Sequence, residues 1–217
     1  MTSMMIRPVY PRFPDFASFD PADAFGYILC ASLIIVSAVI AALLVARYAS
    51  GRYSGNKKKT ALCFAGITAL VTAALICFFG CSAITVKGIL LSLILTFSSY
   101  ADIKERECDD YLHVMIVIAA FIGTDLSSLP NMLFSALFTG GLMLVTMIVT
   151  RSFVGGADVK AAAACSFLLG LSRGVLGLIA AMVLAVAVNV FKKDKKKGFP
   201  MIPYLAAGYT AAYFFTI

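Results

Sequence analysis

Two segments far apart in the chain hold the acidic groups best placed for chemistry. One is Asp102-Ile-Lys-Glu-Arg-Glu-Cys-Asp-Asp110, at the end of an apolar run. The other is Gly155-Gly156-Ala157-Asp158-Val159-Lys160, at the start of another. Carboxylates at membrane depth are costly and mark functional positions. Two aspartates are the minimum equipment for aspartic proteolysis. An ionised carboxylate removes a proton from water while its protonated partner polarises the scissile carbonyl, and like charges in close contact split their titration in the way this division requires. Asp158 heads a helix, where the dipole favours negative charge, whereas Asp102 ends one. Gly155 and Gly156 offer unusual torsions and close approach of an extended peptide. The simpler alternative makes Asp158 only the N-terminal cap of an ordinary helix. His113, the single histidine, stands just inside the helix after Asp110, where a structural role competes with tuning of the aspartates. With one histidine, no cysteine cluster and no serine in a nucleophile elbow, the pattern is that of neither a metalloprotease nor a serine hydrolase, and no metal or cofactor is expected.

The elements that must position these groups are membrane helices. The chain of 217 residues is 61% hydrophobic and only 13% charged, against roughly 25% charged in a soluble domain. A helical crossing needs roughly 20 apolar residues, and several continuous, non-alternating runs of about that length follow one another. Since only helices and closed barrels satisfy their backbone in lipid, the fold class is all-α, a polytopic bundle of about eight helices. The expected crossings are about 24–47, 60–79, 88–101 with room to run on, 111–123, 130–150, 155–171, 174–191 and 200–217. Residues 1–23, with four prolines among aromatic side chains, form an irregular segment ahead of a single transmembrane domain over 24–217. The net charge of +7 does not point to nucleic acid, because the basic residues cluster in joints beside apolar runs. Arg47 to Lys59, Lys104 with Arg106, Arg151 with Lys160, and Lys192 to Lys197 fall after odd-numbered helices, while the opposite joints hold only Lys87 and Arg173. By the positive-inside rule both aspartates are cytosolic and both termini face outward. The basic loops then meet anionic headgroups of the bilayer.

Taken together, the two acidic segments resemble the type IV prepilin peptidase family and its preflagellin peptidase relatives, GxGD-type aspartic peptidases of the membrane. Asp102, Lys104 and Arg106 resemble the family's first aspartate with its basic followers. Gly155, Gly156, Asp158 and Lys160 resemble its second aspartate motif, and Asp110 matches the end of the step that follows the first. Lys197-Gly198-Phe199-Pro200-Met201-Ile202-Pro203 is similar to the proline-bearing start of a late helix, so the resemblance covers about residues 88–217. Two departures stand out. Cys108-Asp109-Asp110 replaces the usual Ile-Pro-Asn or Ile-Pro-Asp step, and the loop from Arg47 to Thr60 has no paired C-x-x-C motif. The resemblance therefore implies a smaller, peptidase-only member without methyltransferase activity.

What it implies further is a cell-membrane endopeptidase that removes the leader of a prepilin-like or preflagellin-like precursor at the cytosolic face. Asp102 and Asp158 would be catalytic, with Lys104, Arg106, Asp110, Gly155, Gly156 and Lys160 supporting them. Two other classes compete. A small ion- or proton-coupled transporter would place its carboxylates near the bilayer midplane on broken helices. A non-catalytic pilus or secretion assembly subunit would tolerate loss of either aspartate.

Overall fold

A computed structural model describes residues 21–150, 155–191 and 200–215. Among them the chain forms eight α-helices: α1 Pro21–Arg52, α2 Lys57–Phe79, α3 Ala83–Glu105, α4 Asp110–Ala120, α5 Leu129–Thr150, α6 Gly156–Leu169, α7 Leu171–Phe191 and α8 Ile202–Tyr213, with one 3-10 turn, Leu126–Ser128, before α5. The irregular segment expected over 1–23 lies outside the described residues as far as residue 20, and Pro21 to Asp23 already belong to α1. Arg151 and the basic loop Lys192 to Lys197 also lie outside them.

Five stretches are long and apolar enough to cross a membrane: Phe25–Arg52, Lys57–Phe79, Ala83–Glu105, Leu126–Val149 and Leu171–Val188. The other three helices have 11, 14 and 12 residues, about 16–21 Å at 1.5 Å per residue, short of a bilayer core of roughly 30 Å. They pack among the long ones, α4 and α8 each against both α3 and α6. The structure is thus a helical membrane bundle. Its boundaries correct the sequence estimate at one place that matters. Residues 102–105 form the last turn of α3, and α3 already begins at Ala83, not near Gly88.

The apolar surface points outward, as a bilayer solvent requires. Phe25, Ile28, Leu33, Leu44, Leu62, Leu70, Leu137 and Val149 are exposed. Between helices the contact is made by small and hydroxylated residues, which let backbones approach where lipid offers no hydrophobic drive. Ala38, Ala42, Ala46 and Ala49 make a buried stripe on α1, packed in one core with Phe64 and Leu75 of α2. Ser98 and Thr139 are buried, and each donates its hydroxyl hydrogen to the carbonyl four residues earlier, at 2.9 and 2.7 Å. α7 and α8 approach each other closely. A Cβ on Gly208 would fall 2.5 Å from the Gly177 carbonyl oxygen and 2.6 Å from the Ala181 nitrogen.

Candidate active site

The C-terminal turn of α3 is fixed from several sides. Tyr53, in the turn after α1, lies against Phe97 and Tyr100, and Phe64 of α2 meets the Tyr100 ring edge-on at 5.7 Å. Tyr100 and Thr60 share a hydroxyl hydrogen bond of 3.2 Å. Asp102 follows, 8% exposed. Its Oδ2 accepts the Ile202 N–H at 3.0 Å. Ile202 is the first residue of α8, and no side chain of its own segment caps that helix. Asp102 is therefore the cap of α8, supplied from α3. It ends one helix, where the dipole opposes its charge, but it also sits at the N-terminus of another, where the dipole supports it.

Asp158 is positioned by its own helix. It occupies the first turn of α6, is 7% exposed, and accepts the Gly155 N–H at 2.8 Å. This is the carboxylate half of a capping box. Gly155 is the N-cap, so the alternative that made Asp158 the cap itself is corrected by three positions. The glycine expectation is corrected too. Gly155 has φ −86° and ψ 160°, ordinary extended torsions, and a Cβ on Gly156 would meet nothing within 4 Å. The open space beside Gly156, rather than a special torsion, leaves room for another chain.

An ion pair joins the two segments. Lys160 Nζ lies 2.7 Å from Asp110 Oδ1, tying the start of α6 to the start of α4. Both side chains are exposed, and the Lys160 hydrogen bond and charge hold the Asp110 carboxyl below the usual carboxylate range. Asp109 pairs with Arg52 at 3.0 Å, so the turn between α3 and α4 is held on both sides. Asp102 and Asp158 are thus brought to the same end of the bundle and lie within electrostatic reach of each other. They do not bond to each other among the described residues. The backbones of α3 and α6 are not adjacent, and α4 and α8 each pack against both. Of the remaining expected residues, Arg106 caps α3 in the left-handed region (φ 58°), with its charge reaching Asp102. Lys104 is exposed, with its Nζ 5.9 Å from the Tyr100 ring centroid.

Sequence reasoning missed Cys108. Its thiol accompanies both aspartates, where the family pattern has an apolar step. Burial pushes it up to about 11, and the charges of Asp102, Asp109 and Asp158 act in the same direction against a Ser98 hydrogen bond. His113 is buried beside it, with Nε2 4.0 Å from the Cys108 Sγ. The only sequence signal was the departure at Cys108 itself. Among the described residues no group of three His, Cys, Asp or Glu side chains is arranged to hold a metal ion.

Residues 89–190 match the type IV leader peptidase family. That stretch is similar to the type IV leader peptidases. This is the family that the two aspartate segments resemble, and both segments lie inside the match, whereas the proline-bearing start of α8 lies beyond its end. No curated protein and no solved structure matches the chain. Five helices able to cross a bilayer, together with this similarity, point to a multi-pass membrane protein related to peptidases.

Proposed function

We propose that this protein, through its likeness to type IV leader peptidases, is an aspartic endopeptidase that cleaves prepilin-like or preflagellin-like precursors at the cytosolic membrane face. The observation that carries the proposal is the convergence of Asp102 and Asp158, both buried, at one end of the bundle from helices whose backbones are not adjacent. The ionised member takes a proton from water as the water oxygen attacks the scissile carbonyl carbon. The protonated member gives its proton to the carbonyl oxygen. Collapse of the resulting diol breaks the C–N bond and the leaving nitrogen takes up a proton, so the elements of one water are added. A peptide would enter beside the two aspartates, and apo sites of this kind tighten on substrate.

The mature part of such a precursor begins with an apolar helix. An apolar groove of about 580 Å³ between α2, α3 and α8 has Ile103 and Pro203 in its wall. These residues follow Asp102 and Ile202, the partners of the capping bond. Ala74, Ala206, Ala207 and Ala211 keep the groove shallow and smooth enough for a second helix. A basic leader would then pass the exposed acids Glu105 and Glu107. The basic residues Arg52, Lys57, Lys104, Arg106 and Lys160 all belong to this end, which supports its assignment to the cytosol. The absence of a paired C-x-x-C loop favours peptidase activity without methyl transfer. Position at helix ends, in the last turn of α3 and the first of α6, argues against a midplane transport site.

The test is co-expression with a pilin-like precursor, followed by its size. Wild type should shorten the precursor, and Asp102→Asn and Asp158→Asn should leave it intact while inserting normally. Cleavage that survives either substitution contradicts the assignment and favours a non-catalytic role.

A further inference from the structure

The end of the bundle opposite the aspartates gathers three cysteines. α1 starts there and α2 ends there, so the two ends lie side by side. Tyr27 of α1 fixes their register. Its hydroxyl donates to the Ile76 carbonyl of α2 at 3.4 Å, and a Cβ on Gly80 would lie 3.9 Å from the same oxygen. Cys30 stands three residues after Tyr27, on the same face of α1. Gly80 caps α2 at φ 64°, and Cys81 follows it in the joint to α3. Beyond that turn Cys81 meets α1, and its thiol shares a hydrogen bond with the Cys30 thiol. Cys77, one turn earlier, also lies within electrostatic reach of the Tyr27 hydroxyl, but Cys81 is the one bonded to Cys30. In the structure both partners are thiols, Cys30 exposed and Cys81 half-buried. Among the described helices the backbone of α1 is adjacent to those of α2 and α3 alone.

We infer that Cys30 and Cys81 close a disulfide that ties the start of α1 to the α2–α3 joint. Thiols already in contact reach the S–S distance of about 2 Å by small side-chain rotations. The inference rests on the cytosolic assignment made under the proposed function, which puts this end on the outer face, where disulfides persist. The oxidant is an organic disulfide. The more exposed Cys30 thiolate attacks one of its sulfurs and releases a first thiol. The Cys81 thiolate then attacks the Cys30 sulfur of the mixed disulfide and releases the second. The cysteine pair gives up two protons and two electrons, and the oxidant becomes two thiols. The new bond closes a loop that holds the rest of α1 and all of α2, and a cross-link of that kind stabilises by constraining the unfolded chain.

Full-length protein, reduced and purified in detergent, tests the pairing. It is treated with oxidised glutathione, and linked peptides are mapped by mass spectrometry after the remaining thiols are alkylated. Wild type should yield a Cys30–Cys81 linked pair and melt several degrees above its reduced form. Cys30→Ser and Cys81→Ser should each prevent the link, whereas Cys77→Ser should leave it. No link in wild type, a link that survives Cys30→Ser, or one that needs Cys77 would overturn the inference. In a second arm, native membranes are alkylated before reduction, and the bond should be found already closed. A bond that forms with glutathione yet stands open in native membranes would overturn the inference through the orientation of this end rather than through the pairing. Cleavage is read in neither arm, so failure of the peptidase assignment is distinguishable from both.

Discussion

Asp102 has two tasks in this structure, and two substitutions separate them. Asp102→Asn removes the ionisable group but keeps an oxygen to accept the Ile202 N–H, now 3.0 Å from Oδ2. Asp102→Ala removes both. Ile202 is 1% exposed, so water does not readily replace the lost acceptor. An unsatisfied buried donor costs about 1–3 kcal/mol, equivalent to about 5- to 150-fold in a folding equilibrium. For a chain of this length that lowers the melting temperature by about 2–4 °C per kcal/mol. The same pair at Asp158 should behave differently. Gly155 is exposed, so water takes over its N–H, and Ala and Asn variants should agree within about 0.5 kcal/mol. Circular dichroism melts of the four variants in one detergent measure both gaps, and cleavage should be lost in all four. Equal melting of Asp102→Ala and Asp102→Asn, or an equally large gap at Asp158, would refute the view that Asp102 caps α8.

Three further outcomes follow from the same geometry. With the other cysteines replaced, Cys108 should react slowly with a thiolate-selective reagent at pH 8, because burial and the neighbouring acids hold it at about 11; Asp102→Asn with Asp158→Asn should speed the reaction, and an unchanged rate would remove Cys108 from between them. The Lys160–Asp110 pair depresses the Asp110 carboxyl, so its stabilisation should be present at pH 7, above the unfolded value of about 4, and fade as pH falls through the lower folded value. Lys160→Met should therefore melt slightly below wild type at neutral pH and match it in strong acid or high salt, and a difference unaffected by either would exclude an ion-pair origin. Gly208→Ala forces α8 away from the Gly177 and Ala181 backbone and should cost about 1–3 kcal/mol of overpacking, with cleavage falling as Ile202 moves; unchanged melting would show that the approach is looser than described.

The helical class and the sharing of one bundle end by Asp102 and Asp158 were legible in the sequence because hydropathy, charge clustering and helix parity are local signals. The capping of α8 by Asp102 was not, since its partner lies a hundred residues away and Ile202 carries no sign of an unfilled N-terminus. Cys108 was legible only as a departure, because nothing local says which helices a turn will face. The Gly155-Gly156 pair misled in the opposite sense. Glycine permits unusual torsions without requiring them, and here the backbone adopts ordinary ones. The end of α3 was open in the sequence because Asp102, Lys104 and Glu105 break the apolar run, whereas the helix continues one turn past it.

The most direct test of the central claim is a single-turnover time course with purified protein and a purified prepilin-like precursor in proteoliposomes. Asp102→Asn and Asp158→Asn should each slow cleavage by about 10²–10⁴-fold, the range expected for loss of a general acid or base. A rate within tenfold of wild type for either variant would contradict an aspartic peptidase built on this pair.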